Sequence, residues 1–527
     1  MNNKMDMDKN RVRFIIPFAF LKSKKTDFLA ICKSISEISE SWADRLWLEY
    51  CIGSKECDLY DAIQKSMQFT SAGNQGIGQC YKINPNCKQK HFPKLKAMMK
   101  DGSYVELSFE DMGLHIFQAG IGFFWFELMI NTHDFEVLLT INNALKEMAY
   151  SNPDIKFLTT YYVNENLSIH YEAIRQEIPQ KDEEQQYIKI EGKNGGYINR
   201  QMLSEEWNKK TDTSFYISEN EVWCKYRKEE EFNMAMFVLD HLTPFEDMKY
   251  FASRSKTLND KTICIPDKAI LFSVVIENSI EGKELLPNLY WLAKGYVDSY
   301  FVPDNFINHA SSAVFEPFQD SIWYASMEGC AQIIYKSQNN NRSTFFETTY
   351  QKRLEDYFYI YILVLHQYYG LLKLDEDITS LPNSMKGYNK LRARKQLYGY
   401  KQDLNFFLMN SVFLKVSHIT NHNLYFEYLK HSYNLEQMMS LIMEKVTLMN
   451  DMVEHWQQKQ KNKKLLGLTI TGGIFILIQT FNNILGIYDY FGLSAWISKG
   501  VYSIITMLSS ILLGFILWMF VKDWRID

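Results

Sequence analysis

Three groups of residues have the types and spacing for chemistry. His418 and His422 stand four apart, which would put two imidazoles on one face of a helix at a metal-capable spacing. No Glu lies between them and no third ligand is evident, so solvated or core histidines compete with that reading and no metal is expected. The stretch SAGNQGIGQ, residues 71–79, carries Gly73, Gly76 and Gly78. Glycine-rich backbone can turn its N–H groups toward phosphate. The stretch lacks the Lys-Ser/Thr of a P-loop and the G-x-G-x-x-G spacing, so an ordinary loop competes. In LRARKQ, Arg392, Arg394 and Lys395 could hold a phosphate, or could form a solvated helix face. Gly73, Gly76, Gly78, Arg392 and Arg394 are the candidate ligand-binding residues. No Ser/His/Asp, Cys/His or paired-carboxylate set stands out, so neither an enzyme nor a cofactor is expected.

A fourth pattern lies near the C-terminal end. Thr471, Phe475, Gln479, Asn482 and Gly486 recur at spacings of four, four, three and four, with Gly472 and Asn483 beside them. They sit inside an uncharged run, residues 465–487. As a helix this run rises roughly 34 Å, enough for a hydrocarbon core of about 30 Å. A second uncharged run follows at 501–521. The expectation is therefore two transmembrane helices. Polar side chains facing lipid are costly, so the stripe should be a helix–helix seam, a pore lining, or both. Thr471, Phe475, Gln479, Asn482, Asn483 and Gly486 are the candidate pore-lining residues, with Tyr488 and Asp489 at the pore entrance.

These residues must be positioned by the rest of a 527-residue chain, 23% charged and 15% aromatic. Its net charge of -5 offers no basic excess for a nucleic-acid polymer. Eight scattered cysteines form no CxxC pair and suit reduced, buried thiols. The N-terminal apolar run, 14–21, is short, contains Pro17 and lacks a cleavage pattern, so a buried strand is expected there. Lys459, Lys461, Lys463 and Lys464 precede the first uncharged run, and Lys522 and Arg525 follow the second. The positive-inside rule then predicts a multi-pass protein of the inner (cytoplasmic) membrane with both termini cytoplasmic.

Upstream, Leu435, Met439, Ile442, Val446, Met449, Val453 and Trp456 alternate by four and three, a heptad seam. No Gly or Pro occurs between Asn421 and Lys464, so one helix can continue into the first uncharged run. Residues 1–400 read as mixed α and β. Strands are expected at 11–20, 104–109, 114–118, 123–130, 155–163, 214–217, 222–226, 263–265, 270–275 and 331–335. Helices are expected at 345–374, broken by Pro382, and from 388 to about 416. The predicted organisation is an α+β sensing domain (1–400), a helical stalk (401–464), a two-helix transmembrane domain (465–521) and a basic tail (522–527).

The stalk helix, two uncharged runs and the tail FVKDWRID together resemble the plan of CorA-type divalent cation transporters over about the last 100 residues. Gly486-Ile487-Tyr488 matches the residues preceding that family's Gly-Met-Asn signature. At the signature itself this chain has Asp489-Tyr490-Phe491. Trp125-Phe126-Glu127 resembles a Trp-x-Asp strand end of the family's cytosolic domain. The enlarged N-terminal part is similar in plan to the CorA-like effectors of type III CRISPR defence. The resemblance implies a homo-oligomer, with five subunits inherited from the family. It further implies an ion channel gated by a nucleotide-type second messenger on the cytosolic domain, in contact with membrane lipid. The alternatives are a divergent divalent metal cation transporter using Asp489, and a non-conducting anchor.

Overall fold

A computed structural model of the chain describes, with short gaps, residues 10–20, 46–50, 58–67, 77–85, 92–162, 228–335 and 343–490, plus isolated residues and short strands elsewhere. The chain divides into two compact units. The first comprises Met1–Lys373 and Phe406–Gln437, the second Leu374–Asn405 and Met438–Asp527.

The first unit is organised by one mixed sheet of 14 strands. In chain order these are β1 (Arg11–Phe20), β2 (Trp47–Glu49), β3 (Gly78–Ile83), β4 (Leu95–Met99), β5 (Tyr104–Phe117), β6 (Ile121–Ile130) and β7 (Ile155–Tyr162). They continue as β8 (His170–Tyr171), β9 (Lys228–Glu231), β10 (Met248–Tyr250), β11 (Ile270–Glu277), β12 (Phe315–Phe318), β13 (Ser321–Ser326) and β14 (Gly329–Tyr335). The path across the sheet is β9-β7-β4-β5-β6-β1-β11-β14-β13-β12, with β3 also on β5, β2 on β3, β8 on β7 and β10 on β1. The β11–β14 pair is parallel. That pairing needs a long crossover, and helix α4 (Leu285–Lys294) lies within it.

β1 shows why these residues form strands. Val12, Phe14, Ile16, Phe18 and Phe20 fall on one face, while Arg11, Arg13, Ile15 and Pro17 fall on the other. Pro17 is tolerated because the pairing with β11 has ended at Ile15, so the missing N–H costs no ladder bond on that side. The first face packs with Phe124, Phe126, Leu114 and Ile116 against helices α2 (Phe135–Lys146), α3 (Met234–Leu242) and α4. Asp134 caps α2 by accepting from the Glu136 N–H at 2.9 Å, worth about 1 kcal/mol.

The second face lies under helix α6 (Ser343–Met385), a run introduced after α1 (Asp61–Met67) and α5 (Asp304–Asn308). Phe272 and Trp125 meet Phe358 of α6 at 5.4 and 5.2 Å between ring centres. Phe117 stacks on His366 at 4.1 Å. α6 runs through Pro382 to Met385 rather than breaking there. Helices α7 (Lys390–Ser411) and α8 (Thr420–Ser432) follow.

In the second unit, α9 (Leu435–Tyr490) is one uninterrupted helix. Ile442, Val446 and Met449 of the heptad seam are already buried within the single chain, and Lys445 pairs with Asp375 of the same unit. Leu441, Met443 and Leu448 are exposed.

The membrane architecture expected from the sequence is corrected. Among the described residues no helix is long and apolar enough to cross a membrane. The CorA-like fold class with two transmembrane helices is replaced by a mixed α/β fold around a large sheet. The multi-pass inner-membrane placement and the membrane, transmembrane-helix and channel assignments fall with it. The expectation rested on absence of charge, which is not the same as apolarity. The run 465–487 contains Thr469, Thr471, Gln479, Thr480, Asn482 and Asn483. The second run, apart from Met507, lies outside the described residues.

Candidate functional site

A charged network occupies the interface between the sheet and α6. Arg13 and Glu127 are directly opposed on β1 and β6. Their Nε and Oε2 atoms are 2.6 Å apart, and both side chains are almost fully buried. Arg13 Nη2 also donates to Glu355 Oε1 of α6 at 2.5 Å. Arg11 Nη1 reaches Glu127 Oε1 at 2.9 Å. The Arg13 guanidinium lies over Phe358 at 4.2 Å and near the Trp125 ring at 5.1 Å. Lys82 on β3 pairs with Asp111 on β5 at 3.4 Å and lies 4.3 Å from the Tyr50 ring centre.

Local irregularities aim these groups. The β5–β6 register shifts between Phe109 and Asp111. That bulge reverses the alternation, so Asp111, Gly113 and His115 share the α6 face. Trp125 lies flat across Gly113, where a Cβ atom would come 2.5 Å from the indole. Only glycine there lets the indole reach Arg13. His115 faces Cys80 across β3 and β5, with 3.0 Å between Nδ1 and Sγ.

The electrostatics are balanced, with three cations (Arg11, Arg13, Lys82) against three carboxylates (Glu127, Glu355, Asp111). Burial opposes charge on Arg13, but Glu355 and Glu127 outweigh it and keep the guanidinium protonated. Burial pushes Glu355 up, but Arg13 and Lys82 outweigh it and hold the carboxylate below its usual range. Burial, helped by the nearby Lys82 charge, lowers His115 to about 3, so the ring is neutral. Buried polar atoms in this cluster without a hydrogen-bond partner include Arg11 Nε, Arg13 Nη1, Trp125 Nε1, His115 Nε2, Glu355 Oε2 and the Tyr359 hydroxyl. Each would cost about 1–3 kcal/mol if left unsatisfied. The Cys80 thiol is buried beside a neutral imidazole, so the pair is not arranged as an exposed nucleophile and base.

A second cluster has the residue types of an acyl-transfer triad. Ser417 Oγ lies 3.2 Å from His422 Nδ1, and His422 Nε2 lies 3.9 Å from Asp356 Oδ2. The hydroxyl is fully buried, donates to the Asp58 carbonyl at 2.5 Å and accepts from the Ile419 N–H at 3.1 Å. Asp356 Oδ1 accepts from the Asp58 N–H at 2.9 Å. The His–Asp distance exceeds hydrogen-bond reach and the hydroxyl is committed. The cluster is a joint that ties residues 58–60 to 416–423, supported by the Leu59–Ser417 bridge and a 2.9 Å bond from the Tyr60 N–H to the Val416 carbonyl.

An open cleft of 820 Å³ is lined in part by Asp101, Glu147, Tyr150 and Asp154. Its carboxylates already have partners: Asp154 meets Lys100, Glu147 meets Lys268, and Asp101 accepts from Ser103. It therefore presents less unsatisfied chemistry than the interface under α6.

The candidate residues read from sequence are not brought together. Gly78 opens β3, and a Cβ there would meet the Met67 carbonyl and the Phe117 ring at 2.9 Å, so this glycine serves packing. Gly73 and Gly76 lie outside the described residues. Arg392 and Arg394 lie on α7, with side chains outside the described part. His418 is exposed and packs on Tyr60, while His422 turns inward. Among the described residues no three His, Cys, Asp or Glu side chains form a metal-capable group. Thr471, Phe475, Gln479, Asn482, Asn483 and Gly486 all lie on α9, where Thr471 Oγ1 donates to the Gly467 carbonyl at 2.8 Å. Tyr488 and Asp489 are also on α9, with side chains outside the described part. Sequence reasoning missed Arg13, Glu127 and Glu355 as a unit. The available signal was Glu127 alone in the otherwise apolar IGFFWFELMI, and Arg11 and Arg13 at the head of the otherwise apolar RVRFIIPFAF.

No family model, no curated protein and no solved structure matches this chain.

Proposed function

We propose that this chain is a self-assembling, ligand-responsive effector without catalytic activity. The mixed α/β unit binds a small molecule, and α9 joins copies of the chain. One observation carries the reading. Leu465, Leu468, Gly472, Phe475, Gln479, Asn482 and Gly486 recur on α9 at alternating spacings of three and four, and all are exposed. Leu468 alone is 68% exposed. A heptad-spaced exposed stripe of this length, with apolar Leu465, Leu468 and Phe475 separated by small or polar residues, suits packing between helices of identical chains, with Gln479 and Asn482 setting register. The occupant is accordingly the same helix of further copies. For the ligand class, the expectation drawn from the sequence is kept as part of this proposal: a nucleotide-type second messenger. The metal-transporter alternative depends on two membrane spans and is not carried forward.

Mass measurement of the purified full chain in mild detergent, for the native sequence and Leu468→Asp, tests the assembly half. A single discrete oligomer that Leu468→Asp reduces to monomer is expected. A monomeric native chain, or one that instead partitions onto lipid vesicles as a monomer, would overturn it. So would an oligomer indifferent to Leu468→Asp. For the ligand half, a panel of cyclic and linear oligonucleotides should contain at least one that raises the melting temperature; no shift from any of them removes it.

A further inference from the structure

The geometry points to the interface under α6 as the place where the uncharged part of a ligand binds, a base or sugar rich in hydrogen-bond acceptors. This rests on the ligand-responsive reading above and names its site. Three observations bear on it. First, donors predominate among the buried atoms without a hydrogen-bond partner: Arg11 Nε, Arg13 Nη1, Trp125 Nε1 and one tautomer of His115 Nε2, against the acceptor Glu355 Oε2, which has the Tyr359 hydroxyl beside it. His115 Nε2 is a donor when Nδ1 accepts from the Cys80 thiol at 3.0 Å, and an acceptor when that thiol donates instead to the Met67 carbonyl at 3.8 Å. Second, Arg13, Trp125 and His115 belong to one stack. The His115 and Trp125 rings lie 6.3 Å apart at 24°, and the Arg13 guanidinium is 5.1 Å from the Trp125 ring centre. Third, the side chains at the edge of the network are reachable from solvent while its base is not. Arg11, Lys82, Asp111 and Glu355 are 20–25% exposed, against 1–2% for Arg13 and Glu127.

Charge decides the class. The network already balances three cations with three carboxylates, so a phosphate placed among them would bury an uncompensated negative charge. Neutral carbonyl, ring-nitrogen or hydroxyl acceptors satisfy the donors without that cost. A nucleoside has such acceptors on both base and ribose.

The test uses the full chain with adenosine, guanosine, cytidine and uridine as probes and inorganic phosphate as comparison. Trp125→Phe removes the indole donor while keeping an aromatic ring on Gly113, and its melting temperature checks that it folds. Binding is followed by calorimetry and by the indole N–H resonance that Trp125→Phe deletes. At least one nucleoside should bind, move that resonance and bind about tenfold more weakly to Trp125→Phe, with phosphate silent. A nucleoside that binds both proteins equally and leaves the resonance in place would overturn this site while leaving the ligand-responsive reading intact. The site is equally overturned if no nucleoside binds although an oligonucleotide stabilises the chain, or if phosphate alone moves the resonance. Failure of the nucleosides and the oligonucleotides together would remove both.

Discussion

Mild acid should unfold the first unit, and the size of the effect follows from three buried histidines. His115, His366 and His241 are at most 6% exposed. Burial holds His115 and His366 to about 3 and His241 to about 4. Around His115, the Lys82 and Arg13 charges add to the effect while Glu355 opposes it. His366 stacks on Phe117 and lies 3.0 Å from Ser411 Oγ through Nε2. His241 Nδ1 lies 2.8 Å from the Phe237 carbonyl. In the unfolded chain each imidazole titrates near 6.5. Between that value and the folded one, the unfolded chain takes up a proton that the folded chain refuses. The stability is therefore fully present above about pH 6.5 and is lost as pH falls below it. At about pH 5 each histidine has withdrawn on the order of 2 kcal/mol, so the three together withdraw about 6 kcal/mol. That is comparable with the whole stability of an ordinary domain, about 5–15 kcal/mol. Urea unfolding of the full chain, followed through tryptophan fluorescence at about pH 7.5 and pH 5, reads the difference; Trp125 and Trp323 are fully buried reporters. His366→Gln should remove about a third of the pH dependence, whatever it does to stability at neutral pH. A loss below about 2 kcal/mol at pH 5, or an unchanged pH dependence in His366→Gln, would show that these rings accept protons in the folded state and refute the reasoning.

Other outcomes follow from the same geometry. Arg13→Met should cost about 3–5 kcal/mol, because Glu127 and Glu355 lose their shared cation. The triple change of Arg13, Glu127 and Glu355 to Met should recover most of that loss in the same urea assay, and an equally unstable triple variant would contradict the account. Gly113→Ala should destabilise by about 1–3 kcal/mol and displace the Trp125 indole, seen as a red-shifted, solvent-quenched emission. Ser417→Ala should weaken the unit by about 1–3 kcal/mol through loss of the hydroxyl's bonds to the Asp58 carbonyl and the Ile419 N–H, while any hydrolysis of a simple aryl ester stays unchanged. Loss of such hydrolysis would restore the triad reading.

Local pattern accounts for what could be read from the chain itself. RVRFIIPFAF, apolar beyond Arg11 and Arg13, reads as a buried strand and becomes β1 over the expected residues, Arg11–Phe20. The stretch 421–464 has no Gly or Pro, yet the chain breaks within it at Asn434, with φ of 50°, between α8 and α9; from Leu435 the helix then continues to Tyr490. These features depend on neighbours within a few residues, where propensity and periodicity act. Pro382 shows the limit even there, since α6 continues past it to Met385. The glycine-rich stretch ending at Gly78 reads as a phosphate loop or an ordinary one. Only the packing of Phe117 and the Met67 carbonyl reveals its last glycine as the start of a buried strand. The uncharged run on α9 reads as a membrane span because charge is visible letter by letter, whereas among the described residues no helix proves long and apolar enough.

The charged network was beyond local reach. Arg13 is 114 residues from Glu127 and 342 from Glu355. Arg13 and Glu127 are charges in largely apolar strands, and Glu355 is one of several charges beside Lys352, Arg353 and Asp356 on α6. Sheet order puts β1 beside β6, a bulge in β5 turns Asp111 toward α6, and Gly113 makes room for Trp125. The same holds for Ser417, His422 and Asp356, whose types suggest catalysis and whose burial and hydrogen bonds make them a joint. Residue types are set by the chain, but burial, charge pairing and unsatisfied donors arise only when distant segments exclude water from one another. That is a property of the packed interior rather than of any stretch of the chain.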